Sequence, residues 1–142
     1  MREAMPVERG PCGEKVGRTL DVEPQEATLK SGKKVEGVYV RWLISGKDGV
    51  PTFAMRLFTA EPGAHIPGHW HPWEHEIYVL RGSMRVKIGG KDYEVSAGSF
   101  IYIPPNIDHE YFVGKDGVEF LCIIPLKPSV DESYDPCSRN AE

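Results

Sequence analysis

The middle of the chain reads Gly63-Ala-His-Ile-Pro-Gly-His69-Trp-His71-Pro-Trp-Glu-His75-Glu76. Three histidines of this stretch, His69, His71 and His75, fall within a span of seven residues. His109 follows a separate strand-like segment. Imidazole is the commonest protein ligand for divalent transition metals, and two histidines separated by one residue on a strand project from the same face. Four of the five histidines therefore stand where one metal ion could gather them.

Short segments rich in β-branched and aromatic residues surround the histidines, and each one is closed by a turn. They predict strands over residues 35–45, 52–59, 75–80, 83–88, 91–95, 99–103, 109–113 and 118–124. Gly89-Gly90 is typical of a two-residue hairpin turn. No window of eleven or more residues holds a clean helical period. Regular spacing of short strands predicts an all-β barrel or sandwich.

The length of 142 residues and the hydrophobic content of 40% are those of one ordinary globular domain. We expect an extended N-terminal arm over residues 1–34, a β-barrel over residues 35–127 and a polar C-terminal tail over residues 128–142. The three cysteines form an odd set, which does not resemble a disulfide framework. We expect unpaired thiols, with a bridge between Cys12 and Cys137 as the alternative.

The charge balance and the apolar content limit the classes of partner that we expect. The net charge is −4, from 17 basic and 21 acidic residues, and the sequence has no long run of Lys and Arg, so we expect no nucleic-acid partner. The first ten residues lack the apolar stretch of a signal peptide, and no segment approaches the roughly 20 apolar residues that span a bilayer. We therefore expect a soluble, cytoplasmic protein with no membrane partner.

Two spacing patterns carry a resemblance to the cupin superfamily, over residues 63–113. The family's first motif is Gly, five residues, His-x-His, three or four residues, Glu, six residues and Gly. The second is Gly, five residues, Pro-x-Gly, two residues, His, three residues and Asn. In this chain the first motif runs from Gly63 to Gly82, and the second runs from Gly98 to Val113 through His109. Asn106 replaces the family's glycine in the second motif, and Val113 replaces its asparagine.

The slot that a glutamate occupies in the first motif falls on a histidine here. Three residues after His71 and six before Gly82 lead to His75, whereas Glu76 fits only with gaps of four and five residues. Strand parity supports the same assignment, because a shift by one residue turns the other side chain inward. We therefore assign His75 as a metal ligand and place Glu76 outside the ligand set.

The resemblance implies a fold, a cofactor and a range of functions. The fold is a single-domain cupin β-barrel, also described as a double-stranded β-helix or jelly roll, similar to small four-histidine cupins. The implied ligands are His69, His71, His75 and His109, and the ion is a divalent first-row transition metal: manganese first, then Fe, Ni, Co, Cu or Zn. The implied function is a metal-dependent oxidoreductase or dioxygenase acting on a small molecule, and we expect a homodimer. A non-enzymatic small-ligand or metal-binding module and a cupin isomerase are the alternatives.

Three further residues are candidates for the wall of a pocket. Phe120 and Cys122 share one strand face by the period of two, and the resemblance places that strand beside the metal. For Cys122 we favour a small apolar core residue, because free cysteine is commonly buried, with the pocket wall as the alternative. Arg56, inside an apolar strand, is first interpreted as an outward-facing charge or interface ion pair, and second as an anchor for a substrate carboxylate. We interpret the tryptophans as packing or interface residues, leave His65 out of the site, and assign no general acid or base.

Overall fold

The computed structural model describes residues 7–138, and the regular structure of this region is dominated by β-strands. The strands are β1 (Glu8–Arg9), β2 (Lys15–Val16), β3 (Gln25–Thr28), β4 (Lys34–Ile44), β5 (Phe53–Ala60), β6 (His65–His69), β7 (His75–Ile88), β8 (Lys91–Ser96), β9 (Phe100–Ile103) and β10 (His109–Pro125). Two short 3₁₀ turns cover Thr19–Asp21 and Gly46–Asp48. Neither of these helical turns has the length and apolar character needed to cross a bilayer.

The strands form a two-stranded ribbon, β1-β2, and an eight-stranded antiparallel assembly. Its hydrogen-bonded order is β3-β4-β5-β10-β7-β8, with β6 paired to β10 and β9 paired to β7. The long strands β7 and β10 contribute to two layers. Their residues 75–82 and 118–125 join β3, β4, β5 and β9, while residues 83–88 and 109–113 join β6 and β8.

Two glycines allow β7 and β10 to pass from one layer to the other. Gly82 has a positive φ of 77°, and a Cβ atom at this position would lie 2.0 Å from the carbonyl oxygen of Gly117. Only glycine tolerates that approach. The pairing register between β7 and β10 shifts in the same region, between Val113 and Val118. The bend therefore depends on two glycines, of which the sequence motifs include only one. Gly82 ends the first motif, whereas Gly117 belongs to neither motif.

Side chains from both layers form one buried cluster, which makes the fold a two-layer jelly roll. Val38 and Ala60 enter it from one layer, and Val86 and Val113 enter it from the other. Complete burial of a large apolar side chain such as Phe120 contributes about 1.5–3 kcal/mol. The predicted all-β, jelly-roll class is thus confirmed. The hydrogen-bonded ladder, however, is not closed into a barrel in the described region, because its end strands, β3 and β8, do not pair with each other.

The predicted strands need three corrections. Segments 75–80 and 83–88 form one continuous strand, β7, and segments 109–113 and 118–124 form one continuous strand, β10. Strand β6 was not predicted, because Pro67-Gly68 is typical of a turn. The proline is tolerated because β6 pairs on one side only, with β10, and so needs fewer backbone donors.

The arm and the tail are described only in part. Strand β3, from the predicted arm, pairs with β4 and so extends the main sheet. Residues 1–6 of the arm and 139–142 of the tail lie outside the described residues. The domain boundaries at residues 34 and 127 stay predictions. Cys12 and Cys137 are exposed, Cys122 is buried, and all three carry free thiols.

Candidate metal centre

Three neighbouring elements and one loop bring the four predicted histidines together. His69 ends β6, His71 lies in the following loop, His75 begins β7 and His109 begins β10. One ring nitrogen from each histidine lies within 4.8 Å of the others. His109 and His69 are direct register partners between β10 and β6, which brings the second motif against the first. The structure thus assembles all four residues that the two motifs predict.

Backbone carbonyls orient three of the four imidazoles. The Nδ1 atoms of His69, His71 and His109 lie 2.9, 2.9 and 3.0 Å from the carbonyl oxygens of Pro67, Trp73 and Ile107. A carbonyl oxygen only accepts, so each Nδ1 carries the hydrogen and donates it. Each Nε2 atom is left with a free lone pair, which is the arrangement a metal ligand needs.

The unpaired nitrogens of the cluster fit a cation. The Nε2 atom of His109 is buried and has no hydrogen-bond partner among residues 7–138. Buried polar atoms are rarely left without one. The Nε2 atoms of His71 and His75 face each other at 2.8 Å, so without an ion one of them must hold a proton. A divalent cation among these atoms would satisfy the lone pairs of both and the orphaned nitrogen of His109.

Burial keeps three of the imidazoles neutral. Burial lowers the pKa of His71 to about 4. The hydrogen bond to the Trp73 carbonyl opposes this lowering of the pKa, and His69 adds to it. Burial likewise lowers the pKa of His109 to about 3. The pKa of His75 falls well below its ordinary value, through burial first and the positive charge of Arg56 second. Neutral imidazoles are the form that binds metal, so these groups are ready to do so at neutral pH.

Alternation along β7 separates His75 from Glu76. His75, Ile77 and Val79 are buried, whereas Glu76 and Tyr78 are exposed on the opposite face. Glu76 lies beside Tyr102 and Ile123 on that outer face and is not part of the histidine cluster. The structure therefore places the side chain of His75, and not that of Glu76, among the other three histidines.

The fifth histidine lies outside the cluster. The ring of His65 stacks on Phe112 with a centroid distance of 4.7 Å, and its Nε2 atom contacts the carboxylate of Glu110. His65 therefore lies outside the histidine cluster, as expected from the sequence.

A cavity of about 460 Å³ lies beside the histidines, and His69, His71 and His75 contribute to its wall. All three predicted pocket residues, Arg56, Phe120 and Cys122, line it as well. The Cys122 sulfur lies 3.1 Å from the Nδ1 atom of His75 and 3.1 Å from the Nη2 atom of Arg56. Burial raises the pKa of the Cys122 thiol, and Arg56 opposes that shift. His75 is thus oriented by a side chain, whereas the other three histidines are oriented by the backbone.

Arg56 faces inward, so its first interpretation as an outward-facing charge is wrong. It is the register partner of Cys122 on one side and of Trp42 on the other. Its guanidinium carbon lies 5.3 Å from the ring centroid of Trp42 and 4.9 Å from that of Phe58. Both faces of β5 are largely apolar, so the alternation of its residues does not indicate which face is inner.

Four aromatic residues of the pocket were not predicted as part of the site. Trp42, Phe58, Trp73 and Tyr111 all line the cavity. The Trp73 ring stacks on His71 at 4.1 Å. Burial keeps the pKa of Tyr111 far above its ordinary value, so the phenol stays protonated. The sequence pattern could have predicted Tyr111 as a pocket residue, because Tyr111 lies two residues after His109 on β10 and therefore shares its face. The tryptophans carry no such signal, since large aromatics most often serve packing.

The known proteins that resemble this chain share one family but differ in their activities. Residues 56–124 match the family model described as the Cupin domain. Dimethylsulfoniopropionate lyase DddW from Ruegeria pomeroyi is 35% identical over 103 residues, which cover 70% of this chain and 67% of the lyase. Oxalate decarboxylase OxdC from Bacillus subtilis is 32% identical over 129 residues, which cover 87% of this chain but only 31% of the decarboxylase. The structure of the polyketide cyclase RemF from Streptomyces resistomycificus superposes with a TM-score of 0.70 at 30% identity, covering 91% of this chain and 94% of the cyclase.

Proposed function

The chain belongs to the cupin family, and we propose that it is a metal-dependent enzyme that transforms a small organic molecule. Its metal would be held by His69, His71, His75 and His109. The observation that carries the proposal is the direction of the Nε2 atoms. Three Nδ1 atoms donate to backbone carbonyls, and the ring nitrogens of all four residues converge beside a cavity of about 460 Å³.

The charge of the ligand set favours chemistry that stabilises negative charge. The cluster contains four imidazoles and no carboxylate among the described residues. A divalent ion bound there would keep its full double charge and act as a Lewis acid toward an oxygen atom of the bound molecule. Trp73 and Phe120 would exclude water from the same space, which strengthens electrostatic interactions.

We propose a non-oxidative reaction, in which a bond is cleaved or rearranged without dioxygen. The names of the similar proteins support this choice, because these proteins are a lyase, a decarboxylase and a polyketide cyclase. The oxidoreductase or dioxygenase reaction expected from the sequence stays a prediction, as do the isomerase and the non-enzymatic binding module. Turnover assays with and without dioxygen separate the oxidative reaction from the non-oxidative ones, an isomerisation included, and from the binding module.

The first experiment measures metal content in protein purified without an affinity tag. We expect close to one first-row ion per chain, with manganese as the first candidate. His71→Ala should lose at least about 90% of the bound metal, because it removes one ligand. His65→Ala is the matched control, since it removes a histidine outside the cluster, and it should keep the metal. Equal metal content in both variants would contradict the proposed centre.

The second experiment measures turnover. Metal-loaded protein is incubated with small acids, diketones, phenols and sulfonium compounds, with and without dioxygen. We expect turnover that persists without dioxygen and disappears in His71→Ala. Consumption of dioxygen coupled to turnover would instead support the dioxygenase. Tight binding of a compound without turnover would support the binding module.

We also propose that the protein is a homodimer, formed through the outer face of β7, β9 and β10. Phe100, Tyr78 and Leu121 form one row across these strands, with Phe100 83% exposed, and Tyr102 and Ile123 flank Glu76 in the next row. Monomeric proteins rarely expose a continuous apolar surface of this kind. A two-fold dimer requires a self-complementary patch, and a surface of aromatic and aliphatic side chains provides one.

Light scattering after gel filtration tests the dimer. We expect about twice the chain mass of 15.9 kDa for the wild type and for Tyr93→Glu, which changes an exposed aromatic on β8. Phe100→Glu should shift the population toward the monomer, because it places a charge in the apolar patch. A monomeric wild type at micromolar concentration would contradict the proposal.

A further inference from the structure

We infer that the pocket binds a small organic carboxylate and that Arg56 holds its anionic oxygens. The inference deepens the proposed function, on which it rests for the role of the pocket as a substrate site, because it names the class of the substrate. It depends on the charges of the cavity wall, on the surroundings of the Arg56 guanidinium, and on the distance between Arg56 and the histidine cluster.

The cavity wall has a charge opposite to that of the whole chain. The chain carries a net charge of −4, and acidic residues outnumber basic ones, 21 to 17. Yet the residues that line the cavity include Arg56 and Lys30 and no Asp or Glu among those that the structure describes. A bound divalent ion would add further positive charge. The electrostatics of this space therefore favour an anion.

Within the part of the chain that the structure describes, the guanidinium of Arg56 lacks an anionic partner. No ion pair within residues 7–138 includes it. Its Nη2 atom donates to the Cys122 sulfur, a weak acceptor, and lies 3.4 Å from the Nδ1 atom of His75. Its Nε atom is buried and has no hydrogen-bond partner. A partly buried cation with an orphaned donor is costly, and a bound anion would offset that cost.

The surroundings of Arg56 hold its side chain in an orientation that suits binding of a planar anion. The rings of Trp42 and Phe58 lie 5.3 and 4.9 Å from its guanidinium carbon, which restricts the side chain. Guanidinium presents its donors in a fixed fork that matches the two oxygens of a carboxylate. The Nε donor, which is buried and has no partner among the described residues, would supply one arm of that fork. A carboxylate therefore fits better than a spherical anion.

The position of Arg56 also connects the anion to the histidine cluster. Its Nη2 atom lies 3.4 Å from a ring nitrogen of His75, so an oxygen bound to Arg56 lies within one small molecule's length of the cluster. The rest of the wall is apolar, with Ile66 and Phe120 among its members. The ligand that suits this arrangement has one carboxylate and a compact apolar body.

Benzoate and benzamide are suitable probes, because they have nearly the same shape and differ in charge. Their affinities for metal-free protein at about pH 7.5 can be compared by ligand-detected NMR titration. We expect the wild type to bind benzoate at least about tenfold more tightly than benzamide, as a charged hydrogen-bonded pair allows. Arg56→Gln should reduce this preference to within about twofold, and Arg56→Lys should keep part of it.

Arg81→Gln is the matched control. Arg81 lies on β7, outside the cavity wall, and its exposed side chain pairs with Glu119. This variant should keep the full preference for benzoate. A preference that is unchanged in Arg56→Gln, or absent from the wild type, would overturn the inference.

A second measurement does not depend on the folding of a variant. In ¹⁵N-labelled wild-type protein, the Nε–H resonance of Arg56 should shift strongly on addition of benzoate, because this donor gains a charged acceptor. The shift with benzamide should be much smaller, because its neutral carbonyl oxygen is a weaker acceptor. No shift with benzoate would overturn the inference. The use of metal-free protein separates the two proposals: loss of the metal centre would leave the benzoate preference, and loss of that preference would leave the metal content.

Discussion

Cys122 provides the sharpest test of how the fourth histidine is held. If His75 binds a metal through Nε2, its Nδ1 atom must carry the hydrogen, and the acceptor for that hydrogen is the Cys122 sulfur at 3.1 Å. Arg56 lies 3.4 Å from the same Nδ1 atom but can only donate. Cys122→Ala therefore leaves a buried donor without an acceptor in the metal-bound form. In the metal-free form, Nδ1 can instead accept from Arg56.

The expected loss follows from this difference between the two forms. A buried donor that loses its partner costs about 1–3 kcal/mol, which corresponds to a metal affinity lower by about 5- to 150-fold. Cys122 is only 1% exposed, so bulk water does not replace the sulfur. The same substitution should reduce the free energy of unfolding of the metal-free protein by only about 1 kcal/mol, through the apolar contact that it removes.

The assay is a competition between the protein and a colorimetric chelator for manganese and for zinc. Cys122→Ser restores an acceptor and should bind metal within about fivefold of the wild type. Cys137→Ala removes an exposed thiol and should have no effect. The reasoning is refuted if Cys122→Ala binds metal as tightly as the wild type, or if the serine variant is as weak as the alanine variant.

Two other predictions concern the bend of the fold and the pH dependence. Gly82→Ala should destabilise the protein by more than about 2 kcal/mol in urea unfolding, because its Cβ would meet the Gly117 carbonyl oxygen at 2.0 Å. Gly90→Ala, also at positive φ but with nothing within 4 Å of its Cβ, should cost only about 1–2 kcal/mol, and equal costs would contradict the steric argument. The metal-free protein should lose stability as the pH falls from about 6.5 toward about 4 and then 3, because His71 and His109 take up protons in the unfolded chain but resist them in the fold. Urea midpoints measured between pH 7 and 4 check this, and a flat profile would show that burial does not hold the two histidines neutral.

The histidine cluster could be predicted from local sequence. The motif spacings and the period of two along a strand select His75 over Glu76, because a single strand turns neighbouring side chains to opposite faces. The same periodicity accounts for the inward direction of Phe120 and Cys122. The all-β class followed from short apolar segments closed by turns.

Only the tertiary structure decided what surrounds the histidines. The contact between Cys122 and His75 joins residues 47 positions apart, and the contact between Arg56 and Cys122 joins residues 66 positions apart. Such contacts depend on the register between strands, which local pattern does not specify. The direction of Arg56 was predicted wrongly for a related reason: β5 is apolar on both faces, so alternation cannot show which face is inner. The sequence by itself thus determined which four histidines form the candidate metal centre. The packing of β5 against β10 determined that an arginine with no anionic partner within residues 7–138 lies beside them.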